Sequence, residues 1–466
     1  MRPLEIAFVV IALASLVCVV VPFRGWLAPR TPPLAVFVAI MQASLEGVRW
    51  QLAPFELLAA LCILFWLHTM RAPVSRGWRG AFAGGGTLLC AIGAALLFAF
   101  PVFRFPAPSG PLAIGTATFE WTDEARADPF IEGGATRREL VVQLWYPAEP
   151  RPSARRAPYV EDSAALGPLA RLLHLPSFVF GHLRYVTSNA VAQAPPLSGR
   201  HPVLIFSHGR GGYRQHDTWL FEDLVSHGYV VASISHPHAA SGVVFRDRRM
   251  VPFDPRMTDA RFVEGKVGAL ADDVLFVRQR LGSLDHEDAR LAAALDLDRM
   301  GMFGVSLGGA VTAEVCRREL AFRACLAIDV WMPEAVVKDG LTQPTLLVTR
   351  DADTMRKEGW SEADIAQTLG TLRSTFDRLP VGYFLSIPGM FHPDFSDAPL
   401  LSPLGRPLGL TGSVPTERVH AIVGGYALAF FDRHVRGEVA PVLDAAPAPD
   451  VRFERRPSAP RRDGGM

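Results

Sequence analysis

The sequence predicts an α/β protein: a mostly parallel central sheet with helices on both faces, preceded by an N-terminal bundle of about three membrane-spanning helices. Three observations carry this. Short, continuously apolar runs alternate with helical segments from residue 110 onward. A glycine-framed serine, Gly304-Val305-Ser306-Leu307-Gly308, sits between one such run and a helix. The first hundred residues hold most of the apolar excess behind a mean hydropathy of +0.20.

The spans come first along the chain, at 4–22, 53–70 and 81–101, within an anchor that ends at residue 105. The first and third come close to the roughly 20 apolar residues that cross about 30 Å of hydrocarbon, and the second is shorter. The second carries Pro54 and Glu56 at its edge. Leu34–Leu45 is too short to span and reads as an interfacial helix. A cleaved signal peptide would begin with a similar run, but Pro22-Phe23-Arg24 follows it instead of a small-residue cleavage site. Arg71, Arg76 and Arg79 crowd the loop between the second and third spans. Positive loops stay in the cytoplasm. The N-terminus is then expected inside, and everything after Phe100 outside.

Residues 110–439 read as one α/β domain. Leu140–Trp145, Val203–Phe206, Tyr229–Ile234, Met300–Val305, Ala324–Ile328, Thr345–Thr349 and Phe384–Ile387 are the expected strands. Apolar runs of this kind, flanked by helices, suit a sheet covered on both faces. Trp219–Ser226, Ala269–Leu281 and Val419–His434 are expected helices. An insertion at 153–194 gathers Leu166, Leu169, Leu172, Leu173 and Leu175, which would either cap the active site or pack on the body. The stretch 440–466 is rich in Pro, Ala and Arg and is expected to be disordered. A net charge of +1 offers no field for nucleic acid. The cysteines show no metal spacing, and Cys316 and Cys325 are expected as two buried thiols rather than a bridge.

The serine motif carries the chemistry. Gly-x-Ser-x-Gly between strand and helix is the nucleophile elbow of the α/β-hydrolase fold, where the serine sits on a turn too sharp for ordinary neighbours. A serine alcohol needs a base, and the base needs an orienting acid. The chain order in this fold is serine, acid, histidine. After Ser306 only His392, His420 and His434 remain, and His392 lies in the loop directly after the last strand. His420 and His434 fall on the final helix at exposed-looking positions. Two carboxylates contend for the acid: Asp329, ending the strand after the elbow, and Asp353, after the next strand. The loop Phe206-Ser207-His208-Gly209-Arg210-Gly211-Gly212 would supply one oxyanion donor from the Arg210 backbone N–H, with Leu307 N–H as the second. His208 reads as a structural hydrogen-bonder. His236 and His238 invite a metal reading, but no carboxylate or cysteine cluster completes a ligand set nearby.

These residues resemble the platelet-activating factor acetylhydrolase family of plasma and intracellular type II. Phe206-Ser207-His208-Gly209 with Gly211 and Arg214 is similar to its oxyanion loop. Asp223-Leu224-Val225-Ser226-His227-Gly228 and the elbow Gly304–Ala310 are also similar. So are Ile328-Asp329-Val330-Trp331-Met332 and Gly389-Met390-Phe391-His392-Pro393-Asp394-Phe395-Ser396-Asp397. The likeness runs from about residue 115 to 433. It implies Ser306, Asp329 and His392 as the triad, Arg210 and Leu307 as the oxyanion hole, and no cofactor or metal. Val305 and Leu307 depart from the histidine and aromatic frequent at those places, which bears on acyl preference. The spans look like a bacterial, inner-membrane branch with a periplasmic or extracellular catalytic domain. The expected activity is a calcium-independent serine esterase acting on short or oxidised acyl esters of phospholipids, with the bilayer as its neighbour. The alternatives are a general carboxylesterase or dienelactone hydrolase-like enzyme on soluble or polymeric esters, with Asp353 a plausible acid, and a tethered binding protein on an inactive hydrolase fold.

Overall fold

Helices α1 (Pro3–Val20), α2 (Thr31–Leu45), α3 (Ala53–Arg71) and α4 (Arg76–Ala99) open the chain. The structure, a computed structural model, describes residues 2–21, 30–134, 136–151 and 153–456. Three segments, Pro3–Val20, Trp50–Arg71 and Arg76–Ala99, are long and apolar enough to cross a membrane. The fourth, α2, packs between them rather than lying apart. Glu46, just past α2, takes the Leu4 N–H at 2.8 Å and the Glu5 N–H at 3.1 Å, so the end of α2 meets the start of α1. Arg49 bonds Glu5 at 3.1 Å and the Phe100 carbonyl at 3.0 Å, bringing the start of α3 and the end of α4 to the same place. At the opposite end Arg79 Nη1 donates to Val19 O at 3.0 Å.

The N-terminus and the exit of the bundle therefore meet at one end, because the short helix returns the chain. Arg2 sits over the ring of Tyr185, 4.0 Å from its centroid, well beyond the bundle in sequence.

The sheet follows. Its strands are β1 (Ala113–Ala127), β2 (Arg137–Ala148), β3 (Arg156–Pro158), β4 (Thr187–Ala192), β5 (His201–Ser207), β6 (Val230–Ser235), then, beyond a small hairpin of β7 (Gly242–Val244) and β8 (Met250–Pro252), β9 (Leu295–Val305), β10 (Phe322–Ile328), β11 (Thr345–Thr349), β12 (Gly382–Ser386) and β13 (Arg452–Arg456). The order across the large sheet is β13-β12-β11-β10-β9-β5-β6-β2-β1-β4-β3. The six central strands from β12 to β6 run parallel, and β2 and β13 join antiparallel on either side. Every residue of β6 and β11 is buried, as expected for strands covered on both faces. The covering helices are α5 (Leu166–Leu172), α6 (Thr218–Ser226), α7 (Ala260–Gly282), α8 (Ala289–Ala294), α9 (Leu307–Arg318), α10 (Glu334–Asp339), α11 (Ala352–Glu358), α12 (Glu362–Phe376), α13 (Ala398–Leu401) and α14 (Thr416–Phe431). Two buried apolar clusters fill the space on the two faces of the sheet, one centred on α7 and α9 and the other on α6 and α14.

Three differences from the sequence reading have physical causes. Cys316 and Cys325 form a disulfide, because the tight α9–β10 crossover sets their Cα atoms 6.6 Å apart, inside the range a bridge needs. The stretch 440–456 is ordered: β13 pairs along β12, Phe453 stacks on Tyr383 with ring centroids 6.0 Å apart, and Arg373 bonds Glu454 at 2.7 Å. Its exposed, arginine-rich pattern hid an edge strand; 457–466 lie outside the described residues. Within the insertion, β3 and β4 extend the sheet edge, while Trp50 Nε1 donates to Val179 O at 3.1 Å and joins it to the bundle.

Candidate active site

The elbow is built by strand β9, the turn at Ser306 and helix α9. Ser306 has φ 57° and ψ −129°, a conformation that costs a non-glycine residue of order 1–3 kcal/mol. It persists because the neighbours leave no alternative. A Cβ on Gly304 would lie 2.2 Å from the Gly308 carbonyl oxygen, and one on Gly308 would lie 1.8 Å from Ser207 O. Only glycine fits at either place. Ser306 N–H donates to Ile328 O at 2.8 Å, which ties the turn to the end of β10.

That strand end carries Asp329, itself at φ 47° and buried. Its Oδ2 accepts from His392 Nδ1 at 2.6 Å, and Oδ1 accepts from Thr349 Oγ1 at 3.0 Å. Arg350 Nε lies 3.3 Å from Oδ2. Burial alone would raise the Asp329 pKa, but the His392 hydrogen bond and the Arg350 charge outweigh it and hold the carboxyl below its usual range. With Nδ1 donating to a carboxylate, Nε2 of His392 is left as the acceptor, the tautomer a general base requires.

His392 sits in a braced loop. Asp394 Oδ2 accepts the Phe391 N–H at 2.6 Å and the Gly412 N–H at 2.7 Å. Asp397 caps the start of α6 through Thr218 N–H at 2.9 Å. Glu358 Oε1 accepts the His392 N–H at 3.1 Å and pairs with Arg350 through its other oxygen. Arg350 packs over Trp360, 4.6 Å from the ring centroid. Arg350 and Glu358 were not singled out from sequence. The signal is modest: Arg350 directly follows β11, three residues before the candidate Asp353.

Ser306, Asp329, His392, Leu307 and Arg210 all line one cavity of about 940 Å³. Among the described residues, Ser306 Oγ forms no hydrogen bond with His392, and the backbone N–H groups of Arg210 and Leu307 donate to no protein acceptor. Catalytic hydrogen bonds often tighten only once substrate is bound. Asp353 is elsewhere: its side chain is 80 % exposed and pairs with Arg356 at 2.7 Å. His420 stacks on Trp219 at 4.0 Å and His434 shares a hydrogen bond with the Tyr383 hydroxyl at 3.0 Å. Both are more buried than their helix positions implied. His208 is fully buried, with Nδ1 donating to Gly209 O at 2.7 Å. No metal-competent group of three His, Cys, Asp or Glu occurs among the described residues.

A parallel sheet with a strained serine at a strand-to-helix turn, and a carboxylate–imidazole pair from the two later loops, defines an α/β-hydrolase. The family model of platelet-activating factor acetylhydrolase, isoform II, matches residues 98–253 and 277–440, and the chain belongs to that family. Platelet-activating factor acetylhydrolase of Gallus gallus is 22 % identical over 376 residues, covering 72 % of this chain and 84 % of the relative. That of Cavia porcellus is 23 % identical over 382 residues, covering 73 % and 80 %. A solved ferulic acid esterase from Streptomyces cinnamoneus superposes with a TM-score of 0.62 at 31 % identity, over 76 % of this chain and 99 % of that one. The company is that of carboxylic ester hydrolases.

Proposed function

We propose that the chain is a membrane-anchored serine esterase. Ser306 Oγ attacks an ester carbonyl while His392 Nε2 takes its proton. The oxyanion that forms is met by the N–H groups of Arg210 and Leu307, and Asp329 stabilises the imidazolium. His392 then returns the proton to the departing alcohol, and water hydrolyses the acyl-enzyme by the same steps in reverse order. The observation that carries this reading is the 2.6 Å contact of His392 with Asp329, opening on the cavity that Ser306 also lines. A fluorophosphonate probe tests it: Ser306 is expected to be labelled, and Ser306→Ala to abolish labelling. Folded wild-type protein that resists the probe would point to a tethered binding protein instead.

Family membership supports a short or oxidised acyl ester of a phospholipid as substrate. A second reading, an esterase of aromatic or polar esters, is favoured by one observation. The cavity exceeds what an acetyl group fills, and its walls mix Trp331 and Trp360 with Arg261, Asp364 and Gln367. The solved neighbour is a ferulic acid esterase. Relative kcat/KM for a short-chain phospholipid and a hydroxycinnamate ester separates the two.

The bundle supports an orientation. Arg30, Arg71, Arg76 and Arg79 gather at the end far from the sheet, whereas Arg2 and Arg49 at the near end are paired with Glu5. The arginine-rich end is then cytoplasmic. Because α2 returns the chain along the bundle, the N-terminus shares one end with the exit to the catalytic domain, and that end is then the outer side. The Cys316–Cys325 bridge accords with an oxidising compartment.

A further inference from the structure

A second Ser–His–Asp array lies beneath the first. Ser207 Oγ donates to His236 Nε2 at 3.0 Å, and His236 Nδ1 donates to Asp273 Oδ2 at 2.9 Å. Arg138 grips the same carboxylate at 2.7 and 3.1 Å, and Arg126 adds a contact at 2.5 Å. Arg138 also reaches Asp128 at 3.1 Å and Pro237 O at 3.3 Å. Ser207, His236, Asp273 and Arg138 are all at most 2 % exposed, and none lines the cavity. No ester can reach this serine, so the array is not a second nucleophile.

Its place in the fold says what it does. Ser207 ends β5, and the next three residues, His208, Gly209 and Arg210, form the loop that brings Arg210 to the cavity wall. His236 ends the neighbouring β6, Asp273 is on α7 and Arg138 is on β2. His236 braces the loop twice: its ring holds the Ser207 hydroxyl, and its backbone N–H donates to His208 Nε2 at 3.2 Å. His208 passes the restraint on through Gly209 O. The tolerance downstream is small, since a Cβ on Gly209 would lie 3.0 Å from Ser306 Cβ. The chain of donors is unambiguous. Asp273 can only accept, so Nδ1 of His236 carries the proton and Nε2 must accept from Ser207. Burial keeps the ring neutral, lowering the His236 pKa against the pull of Asp273.

We propose that Ser207, His236 and Asp273 are positioning residues that hold the Arg210 N–H in register with the oxyanion forming at Ser306. The proposal rests on the esterase reading above. A group that sets an oxyanion donor acts on the transition state and not on ground-state binding. Losing one oxyanion donor costs about 10²–10³ in kcat, and loosening one costs less.

The test uses the full chain in detergent micelles with p-nitrophenyl butyrate, counting active sites by fluorophosphonate titration. Ser207→Ala is expected to lower kcat per titrated site by about 10–100-fold, to leave KM within about threefold, and to weaken a trifluoromethyl ketone inhibitor by the same factor as kcat/KM. Ser207→Thr, which restores the hydroxyl, is expected to recover most of the rate. Should Ser207→Ala not fold, Ser207→Cys decides: similar in size but a weak donor, it is expected to lose at least about fivefold in kcat per site. Turnover per titrated site within twofold of wild type, in whichever variant folds, overturns the positioning role alone. Absence of labelling in the wild-type protein overturns the esterase reading and this proposal together.

Discussion

Replacing Asp329 by Asn tests the active site most sharply. The substitution changes no volume, but it exchanges an acceptor for a group that can also donate. His392 Nδ1 sits 2.6 Å from Asp329 Oδ2, which puts the charge centres about 4 Å apart in the imidazolium-bearing transition state. At an effective dielectric of about 20 that attraction is worth about 4 kcal/mol, or roughly three powers of ten in rate. The amide also favours the wrong imidazole tautomer, and Arg350, 3.3 Å away, then faces the developing positive charge with no carboxylate between them. The expected loss in kcat is therefore about 10³–10⁴-fold. Asp353→Asn is the matched control. Its exposed pair with Arg356 is screened by solvent and contributes little, and Asp353 does not line the cavity. The assay is steady-state hydrolysis of p-nitrophenyl butyrate normalised to titrated sites, with circular dichroism to verify folding. A folded Asp329→Asn protein within tenfold of wild type, with Asp353→Asn strongly impaired, would refute the reasoning.

Three further outcomes are expected. Removing the bridge with the Cys316→Ser, Cys325→Ser double variant is expected to lower stability by about 2–3 kcal/mol for a loop this short, read as a lower urea midpoint, and reductant should give the same shift in the wild type. Acidification from pH 7.5 to 5 should lower the melting temperature of the catalytic domain. Burial pushes His208 down to about 3, and His420 and His434 down to about 4. The unfolded chain binds protons near pH 6.5 that the folded rings refuse, so stability is full above that pH and declines below it. Glu222, pushed up to about 7 by burial, opposes this, as do Asp217, Asp394 and Asp397, raised likewise. His182, His201, His236 and His238, all lowered by burial, add to the histidine side and keep the balance there; a rise in melting temperature would contradict the assignment. Finally, a cysteine placed before Pro3 should react with a membrane-impermeant maleimide on the side where the catalytic domain is cleaved by added protease, whereas one beside Arg76 should be protected.

Much of the candidate site is legible in the sequence because it depends on local patterns. The elbow reads from five residues, since only glycine avoids the clashes at 304 and 308. The histidine loop reads from its position directly after β12. The parallel core reads from β6 and β11, whose residues are apolar or small throughout. Less regular parts escaped. β1 is 15 residues long and mixes Thr, Glu and Asp into its pattern, so only its partner β2 was recognised. β13 is charged and mostly exposed, and its identity comes from the edge of β12 that it covers.

What the linear order of residues determined by itself was the chemistry on offer: a hydroxyl on a forced turn, an imidazole late in the chain, two eligible carboxylates, and apolar segments of spanning length. Periodicity and steric exclusion act between near neighbours, so they can be read without folding anything. The tertiary structure decided which carboxylate meets the imidazole, which cysteines meet each other, and on which side of the bundle the chain begins. It also brought Ser207, His236, Asp273 and Arg138 into one buried array. Each of those outcomes depends on distances between segments remote in sequence, and such distances are set by how the sheet and helices pack rather than by any stretch of residues alone.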